Sequence, residues 1–197
     1  MPDPAAHRCP WPGSEPRYVA YHDEDWGVPE HDPRALWEKL VLDGFQAGLS
    51  WWVILKKRDD FRRAFEGFRP EVVATWGEPE IERLVVDATI VRSRSKIVAA
   101  IQGARAWMEI EATHPGGFHA FIWRYVDGSP LINAFATADD VPTRTPASEA
   151  MAKDLKRAGF NYCGPVICYA FMQAVGMVND HLTTCFRHAE CAAMAER

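Results

Sequence analysis

The chain has 197 residues, 48% of them hydrophobic, and a formal net charge of −5. This length suits one globular domain, and no apolar run approaches the roughly 18 residues that a membrane span requires. The N-terminal stretch MPDPAAHRCPWPG has no basic segment followed by an apolar one, so we do not expect it to be a signal peptide. We therefore expect a cytoplasmic protein without a membrane association, in which the five cysteines are thiols or metal ligands and not a disulfide framework.

Helical signals follow one another along the chain, whereas the alternation that is typical of strands is scarce. Asp32-Pro33 predicts the start of a helix that runs through Leu36, Leu40 and Val41. Further helices are predicted in this order: short ones opened by Pro70 and Pro79, a longer one from Arg94 to Ile110, one within 117–126, one from Thr145-Pro146 to near Gly159, and a buried one from Pro165 to Val178. Residues 127–145 form the longest irregular connection. The predicted fold class is all-α.

The net negative charge disfavours nucleic acid as a partner, but a local basic patch can still supply the attractive field. Basic residues cluster in four places: Lys56 to Arg58; Arg62 and Arg63; Arg92, Arg94 and Lys96; Lys153, Lys156 and Arg157. Each cluster is either a solvated helix face or a contact for phosphates. The eight tryptophans either fill a core or serve as stacking platforms, and the pattern alone leaves both readings open.

Two pairs of metal-binding residue types lie near the ends of the chain. Cys9 and His22 are close to the N-terminus, while His181 and Cys185 are spaced i, i+4 near the C-terminus. Together they make a Cys2His2 set, which suits tetrahedral Zn²⁺ and leaves no open position for catalysis. From spacing alone, His22 can equally be a core histidine. His188 or Cys191 can also replace one of the four ligands.

The stretch LVLDGFQAGLSWW, residues 40–52, places the acid Asp43 among apolar residues. A buried carboxylate costs several kcal/mol unless it is paired or hydrogen-bonded. Asp43 therefore either caps a helix end before Gly44 or binds a ligand that donates a hydrogen bond to it.

Several stretches of the chain resemble one known family. They are RCPW (8–11), YVAYHDEDWGVP (18–29), LDGFQAGLSW (42–51), DATIVRSRSKI (87–97) and GPVICYAFMQAVGMVNDH (164–181). This pattern resembles the DNA-3-methyladenine glycosylase I family, and the match extends from residue 8 to about residue 185. The resemblance implies a helix-hairpin-helix DNA glycosylase fold in a single domain, 1–197, with a helical core and a zinc-binding subdomain that joins the two terminal segments. One structural zinc ion is implied, and its ligands fall on Cys9, His22, His181 and Cys185.

The resemblance also implies a base pocket and assigns its walls. Asp43 falls on the acid that hydrogen-bonds an extruded base, and the aromatic walls fall on Tyr18, Tyr21, Trp26 and Trp51. The family commonly has Glu at the position of Asp43. Because Asp is one methylene shorter, its carboxylate needs either a closer helix or a bridging water to reach the same base.

The stretch 87–97 corresponds to the DNA-binding hairpin of the family. Its turn is expected to offer backbone N–H groups to a phosphate, with Arg92, Arg94 and Lys96 supplying positive charge. Thr89 and Ser95 stand where glycines are usual, so an ordinary basic helix–helix turn is the alternative. In the loop QAGLS, Gly48 and Leu49 either enter the gap that a flipped base leaves or simply pack in the core.

The resemblance implies base-excision repair by a monomer that acts on double-stranded DNA containing 3-methyladenine and releases the free base. The helix after the hairpin carries no residue that we assign as a catalytic acid. Lys96 is the one hairpin lysine available as a lyase nucleophile, and its basic context favours a phosphate contact, so we expect a glycosylase without lyase activity. The rival interpretations are a damage-binding module that does not cut and a zinc hydrolase unrelated to DNA.

Overall fold

The computed structural model describes residues 7–195, and its architecture is built almost entirely from helices. The outermost residues of the predicted 1–197 domain lie outside this range. The helices are Pro16–Ala20 (α1), Pro33–Gln46 (α2), Trp51–Lys56 (α3), Arg58–Ala64 (α4), Pro70–Val73 (α5), Glu78–Val85 (α6), Arg94–Thr113 (α7), Gly117–Trp123 (α8), Pro146–Arg157 (α9), Pro165–Ala174 (α10) and Phe186–Met194 (α11). No helix in residues 7–195 is both long enough and apolar enough to cross a membrane.

Proline opens most of the helices that the sequence predicts. It fixes a helical φ and lacks the N–H group that would be unpaired in the first turn. Helix α2 shows the full signal, because Pro33 follows Asp32, whose side chain accepts a hydrogen bond from Ala35 N–H at 2.8 Å. The predicted starts at Pro70, Pro146 and Pro165 are confirmed, and the helix predicted at Pro79 begins one residue earlier.

Helix α2 is the centre of the fold and packs against α3, α7, α8 and α10. It is surrounded on most sides, which is why its buried residues include Leu36, Trp37, Leu40 and Phe45. The tryptophans differ in burial. Trp37 and Trp123 are fully buried in the core, whereas Trp11 is exposed.

The buried helix predicted from Pro165 to Val178 is too long. Helix α10 ends at Ala174, and a hydrogen bond from Met177 N–H to the Met172 carbonyl closes its last turn. The chain then extends, and Val178–Asn179 (β2) pairs in parallel with Leu131–Ile132 (β1). Strand β1 lies within the predicted irregular connection 127–145. Asp180, the residue after β2, is buried.

Near the N-terminus, α1 continues into a π-helical turn, Tyr21–Asp25. The wider turn changes the direction in which side chains project, and such turns are frequent at functional sites. Both Tyr21 and His22 are buried in this turn.

Candidate functional site

A cavity of about 430 Å³ lies between α2, the N-terminal segment and α10, within the volume range that is typical of ligand sites. It is called the aromatic cavity below. All five residues that the family resemblance assigned to base binding line it: Tyr18, Tyr21, Trp26, Asp43 and Trp51.

Aromatic rings form one continuous wall of this cavity. Tyr21 lies between two of them, with its ring centroid 6.5 Å from that of Tyr18 and 5.3 Å from that of Trp51. Trp11 joins the wall from the side, edge-on to Tyr18 at 5.1 Å and to Trp26 at 5.2 Å. Such a wall can stack on a flat ligand.

Asp43 is fully buried within α2, three positions before the helix ends, so the reading of Asp43 as a helix-end cap is wrong. Its Oδ1 accepts a hydrogen bond from Lys39 Nζ. Its Oδ2 is buried and has no hydrogen-bond partner among the described residues. Burial raises the pKa of the Asp43 carboxyl, and the attraction of Lys39 opposes that rise.

Lys39 was not predicted as part of the site. It lines the aromatic cavity, and its Nζ lies 3.9 Å from the centroid of the Trp51 ring. The i, i+4 spacing of Lys39 and Asp43 was the available signal, because it places both side chains on one helix face. A lysine on an exposed helix gives the same pattern, so the spacing alone does not indicate a buried pair.

Asp180 and its partners were also missed. Asp180 lines the aromatic cavity and accepts hydrogen bonds from the Tyr169 hydroxyl at 2.6 Å, from Gln173 Nε2 at 2.8 Å and from Asn133 Nδ2 at 2.6 Å. These partners come from α10 and from the residue after β1, so only the folded chain brings them together. With three donors, Asp180 is a satisfied structural carboxylate, in contrast to Asp43.

The four predicted metal ligands come together, and one of them, Cys9, also lines the aromatic cavity. We call them the Cys2His2 cluster: Cys9, His22, His181 and Cys185. All four are buried, and their ligand atoms lie within 4.8 Å of one another. Three of the S–N separations are 3.7 Å (Cys9 to His181), 3.5 Å (Cys185 to His22) and 3.6 Å (Cys185 to His181). A tetrahedral zinc ion with ordinary Zn–S and Zn–N bonds requires an S–N separation of about 3.6 Å.

The neighbours of both histidines orient their free nitrogens toward the cluster. His22 Nδ1 lies 2.8 Å from Asp23 Oδ1, and His181 Nε2 lies 3.0 Å from the Trp26 carbonyl. Each of these oxygens accepts a hydrogen bond, so the opposite ring nitrogens carry lone pairs and point at the sulfurs. Arg8 holds Asp23 in turn, with its guanidinium 2.8 Å from Asp23 Oδ2. The donor set therefore fits a four-coordinate metal ion.

The alternative ligands lie elsewhere. His188 Nε2 is 2.7 Å from the Asn133 carbonyl. Cys191 is buried but is not part of the cluster. The reading of His22 as an ordinary core histidine does not account for two sulfurs and a second imidazole at its ring nitrogen.

The proposed hairpin is present as the turn between α6 and α7, residues 86–93. No residue of this fully described turn has a positive φ, so Thr89 takes the place of a glycine without strain. The Asp87 carboxylate accepts hydrogen bonds from both the N–H and the hydroxyl of Thr89, which fixes the turn.

The three hairpin cations have different surroundings. Arg94 pairs with Glu78 and Glu82 of α6. Lys96 Nζ donates to the carbonyls of Phe45 at 2.9 Å and Ala47 at 2.6 Å, at the C-terminus of α2.

Arg92 is exposed, and no ion pair to it occurs among residues 7–195. In the loop after α2, Leu49 is 42% exposed, so it does not pack in the core. Gly48 lies beside it, with no atom within 4 Å of the position that a Cβ would take.

Known proteins share both the sequence and this fold. The model of the methyladenine glycosylase family matches residues 11–188. The DNA-3-methyladenine glycosylase 1 of Escherichia coli K12 is 47% identical over 178 residues, which cover 90% of this chain and 95% of the relative. A crystal structure of 3-methyladenine DNA glycosylase I superposes with a TM-score of 0.89 at 50% identity, covering 91% of this chain and 98% of that one.

A variant of a 3-methyladenine DNA glycosylase I, solved in complex with 3-methyladenine, superposes with a TM-score of 0.88 at 37% identity, covering 91% of this chain and 96% of that one. The family match spans most of the chain, and the alignment with the Escherichia coli relative covers nearly all of that protein. The chain therefore belongs to the methyladenine glycosylase family, whose members are hydrolases that act on N-glycosyl bonds.

Proposed function

We propose that this protein hydrolyses the N-glycosidic bond of 3-methyladenine in alkylated double-stranded DNA, as a monomer, and leaves an abasic site. One observation carries the proposal. The buried Asp43 lies in the wall of the aromatic cavity, and its Oδ2 has no hydrogen-bond partner in the part of the chain that the structure describes. A buried acceptor without a partner costs about 1–3 kcal/mol, and a base that donates to it removes that cost.

The chemistry of this cavity suits a methylated adenine. The exocyclic amino group of adenine is a donor, and an ionised carboxylate only accepts. Methylation at N3 makes the base in DNA a cation, so the hydrogen bond is charge-assisted, and the faces of Tyr21 and Trp51 attract a cationic ring. Guanine would present its O6 acceptor to the same carboxylate, and two acceptors repel each other.

The leaving group needs little help from the protein. A cationic base departs without prior protonation, so the protein's tasks are to extrude the nucleotide, hold the base and admit water to the sugar carbon. Asp43 holds the edge of the base that lies away from the sugar.

The surroundings of the lysines support hydrolysis without lyase activity. A lyase needs a free amine at the sugar carbon. The Lys96 amine is held by two carbonyl groups at the end of α2. Lys39 lines the cavity, but its amine is bound to Asp43, which we assign to the edge of the base away from the sugar.

We assign DNA contacts to the hairpin and to the loop after α2. Arg92 has no ion pair within residues 7–195 and is assigned to a phosphate. Arg94 and Lys96 are assigned supporting contacts, which they make by exchanging their partners in the free protein for DNA. Gly48 lets the loop approach the DNA, and the exposed Leu49 is placed to fill the gap left by the extruded base.

We assign the Cys2His2 cluster to one structural Zn²⁺. Four protein ligands leave no position for water or substrate, so a bound ion would supply stability and no chemistry. The same argument disfavours a zinc hydrolase.

The test is release of free base from DNA treated with a methylating agent. We expect the wild-type protein to release 3-methyladenine, and Asp43→Asn to release it about ten- to a hundredfold more slowly, because a charge-assisted hydrogen bond is lost. Asp59→Asn, at a carboxylate that is 73% exposed, is the matched control and should behave as wild type.

Two outcomes would contradict the proposal. Binding of alkylated DNA without base release would show a damage-binding module. A protein–DNA adduct trapped by borohydride would show a Schiff base, and therefore a lyase.

A further inference from the structure

Lys39 and Asp43 both line the aromatic cavity. The Lys39 side chain is 15% exposed, whereas that of Asp43 is 1% exposed. Lys39 donates to Oδ1, and no group within residues 7–195 forms a hydrogen bond with Oδ2. Its ammonium also rests on the ring of Trp51, so the pair and one aromatic wall form a single unit.

A buried carboxyl in these surroundings would be neutral if it stood alone, because burial disfavours its charged form. A neutral carboxyl donates a hydrogen bond, and its second oxygen is a weaker acceptor than that of a carboxylate. The amino group of an adenine then meets a poor acceptor. The proposed recognition therefore depends on something that keeps Asp43 ionised.

We infer that Lys39 is a positioning residue for base recognition: it keeps Asp43 ionised and holds Oδ1, so that Oδ2 is left to accept a hydrogen bond from the base. The inference rests on the proposed function. In place of the longer acid that is common in the family, Asp43 and Lys39 together form the group that recognises the base. Burial lowers the pKa of the Lys39 ammonium, and the attraction of Asp43 opposes that fall.

Few other charged groups face this pair. The charge of Asp25 raises the pKa of Lys39, and the charge of Arg58 lowers it. Asp25 and Arg58 form an ion pair with each other at 2.5 Å. Burial raises the pKa of Tyr21 and of the Cys168 thiol on α10, so both stay neutral. The charged group of α7 that reaches α2 is Lys96, at the carbonyl end. The buried residues of α8 are apolar.

The direct test is a titration of the Asp43 carboxyl carbon by NMR in the free protein, with the signal identified by its absence in Asp43→Asn. Lys39→Met removes the charge and keeps an unbranched side chain that is one atom shorter. We expect the pKa of Asp43 to be about one to three pH units higher in Lys39→Met than in wild type, because an adjacent opposite charge shifts a carboxyl by that amount. Lys56→Met is the matched control, since Lys56 lies 5.3 Å from the Trp52 ring centroid on the neighbouring tryptophan.

The second measurement is the affinity for free 3-methyladenine as a function of pH. Lys39 lowers the pKa of Asp43, so its removal raises that pKa, and the carboxylate is lost sooner as the pH falls. The acid limb of binding should therefore move to higher pH in Lys39→Met. Protonation of the free base is common to both proteins and cancels in the ratio of their affinities.

An unchanged pKa of Asp43, or an affinity that falls equally at every pH, would overturn the inference and leave Lys39 as a packing residue. Lys39→Gln removes the same charge and replaces Lys39→Met if that variant does not fold. If the wild type neither binds 3-methyladenine nor releases it from DNA, the proposed function fails. The NMR titration still decides the role of Lys39 in that case.

Discussion

Gly27 lies directly against His181 of the Cys2His2 cluster. Its φ is 83°, and a Cβ at this position would lie 2.9 Å from His181 Nε2. The same nitrogen is 3.0 Å from the Trp26 carbonyl, so the imidazole cannot move away without losing that contact. Only glycine at position 27 leaves room for the His181 ring in the orientation that points its other nitrogen at the cluster.

Gly27→Ala should weaken metal binding as well as stability. Positive φ alone costs an alanine about 1–2 kcal/mol, and the contact with His181 adds an overpacking cost of about 1–3 kcal/mol. Gly48→Ala is the matched control, because its φ is 78° and no atom lies within 4 Å of the added Cβ. Urea unfolding and bound metal per chain are the measurements, and equal losses in both variants would show that the contact does not matter.

At the same scale, the sequence predicted the position of Asp43 in the site but not its partner. The family resemblance assigned Asp43 to base binding, and the structure places it in the cavity wall. For the shorter acid, the sequence suggested a closer helix or a bridging water. The structure shows a lysine beside it, and a pairing inside a core depends on the surrounding helices.

The carboxyl end of α2 depends on a residue from another helix. The last turn of a helix leaves carbonyl oxygens without intrahelical donors. Lys96 of α7 donates to two carbonyls there, those of Phe45 and Ala47. The positive charge of Lys96 is also attracted to the negative end of the helix dipole. Helix α7 thereby fixes the point at which the chain leaves α2 for the loop that carries Leu49.

Lys96→Met should lower the free energy of unfolding by about 1–2 kcal/mol, because two hydrogen bonds from a charged donor are lost. The loop at 47–50 should also exchange its amide hydrogens faster. Arg94→Met is the control, since the ion pairs of Arg94 with Glu78 and Glu82 are exposed and surface pairs contribute little. Urea unfolding with hydrogen exchange checks both, and equal stability of Lys96→Met and wild type would exclude the capping role.

Helix starts were predictable because their signals are local. A proline with a capping residue before it acts within one turn, as at Asp32 and Thr145. The end of α10 was not predictable in the same way. The pairing of Val178 with Leu131 is a contact between distant parts of the chain, and it overrides the helical pattern of 165–178.

Over the whole molecule, the Cys2His2 cluster joins the two terminal segments, with Cys9 and His22 on one side and His181 and Cys185 on the other. Both terminal segments also contribute to the wall of the aromatic cavity, together with α2. Sequence spacing indicated such a metal site but left its ligands open, because ring orientation depends on Asp23 and on the Trp26 carbonyl.

Removal of the proposed zinc ion should unfold the protein, because the binding energy of a closed structural site is also folding energy. Melting curves with and without a strong chelator check this, with metal content measured in parallel. Cys185→Ser should lose the metal and melt at a lower temperature. Cys191→Ser, at a buried cysteine outside the cluster, should retain the metal. An unchanged melting temperature after complete metal removal would contradict the expectation.

The separation of Cys9 from His181, 172 positions along the chain, also determines when the fold can close during synthesis. Helices α2 to α8 leave the ribosome with most of their packing partners, so they can assemble while the chain is still growing. Cys9 and His22 must wait for residues that are made much later, and the cavity wall at Asp180 is made just before them. A nascent chain stalled before β2 would therefore hold a packed helical core without a finished cavity.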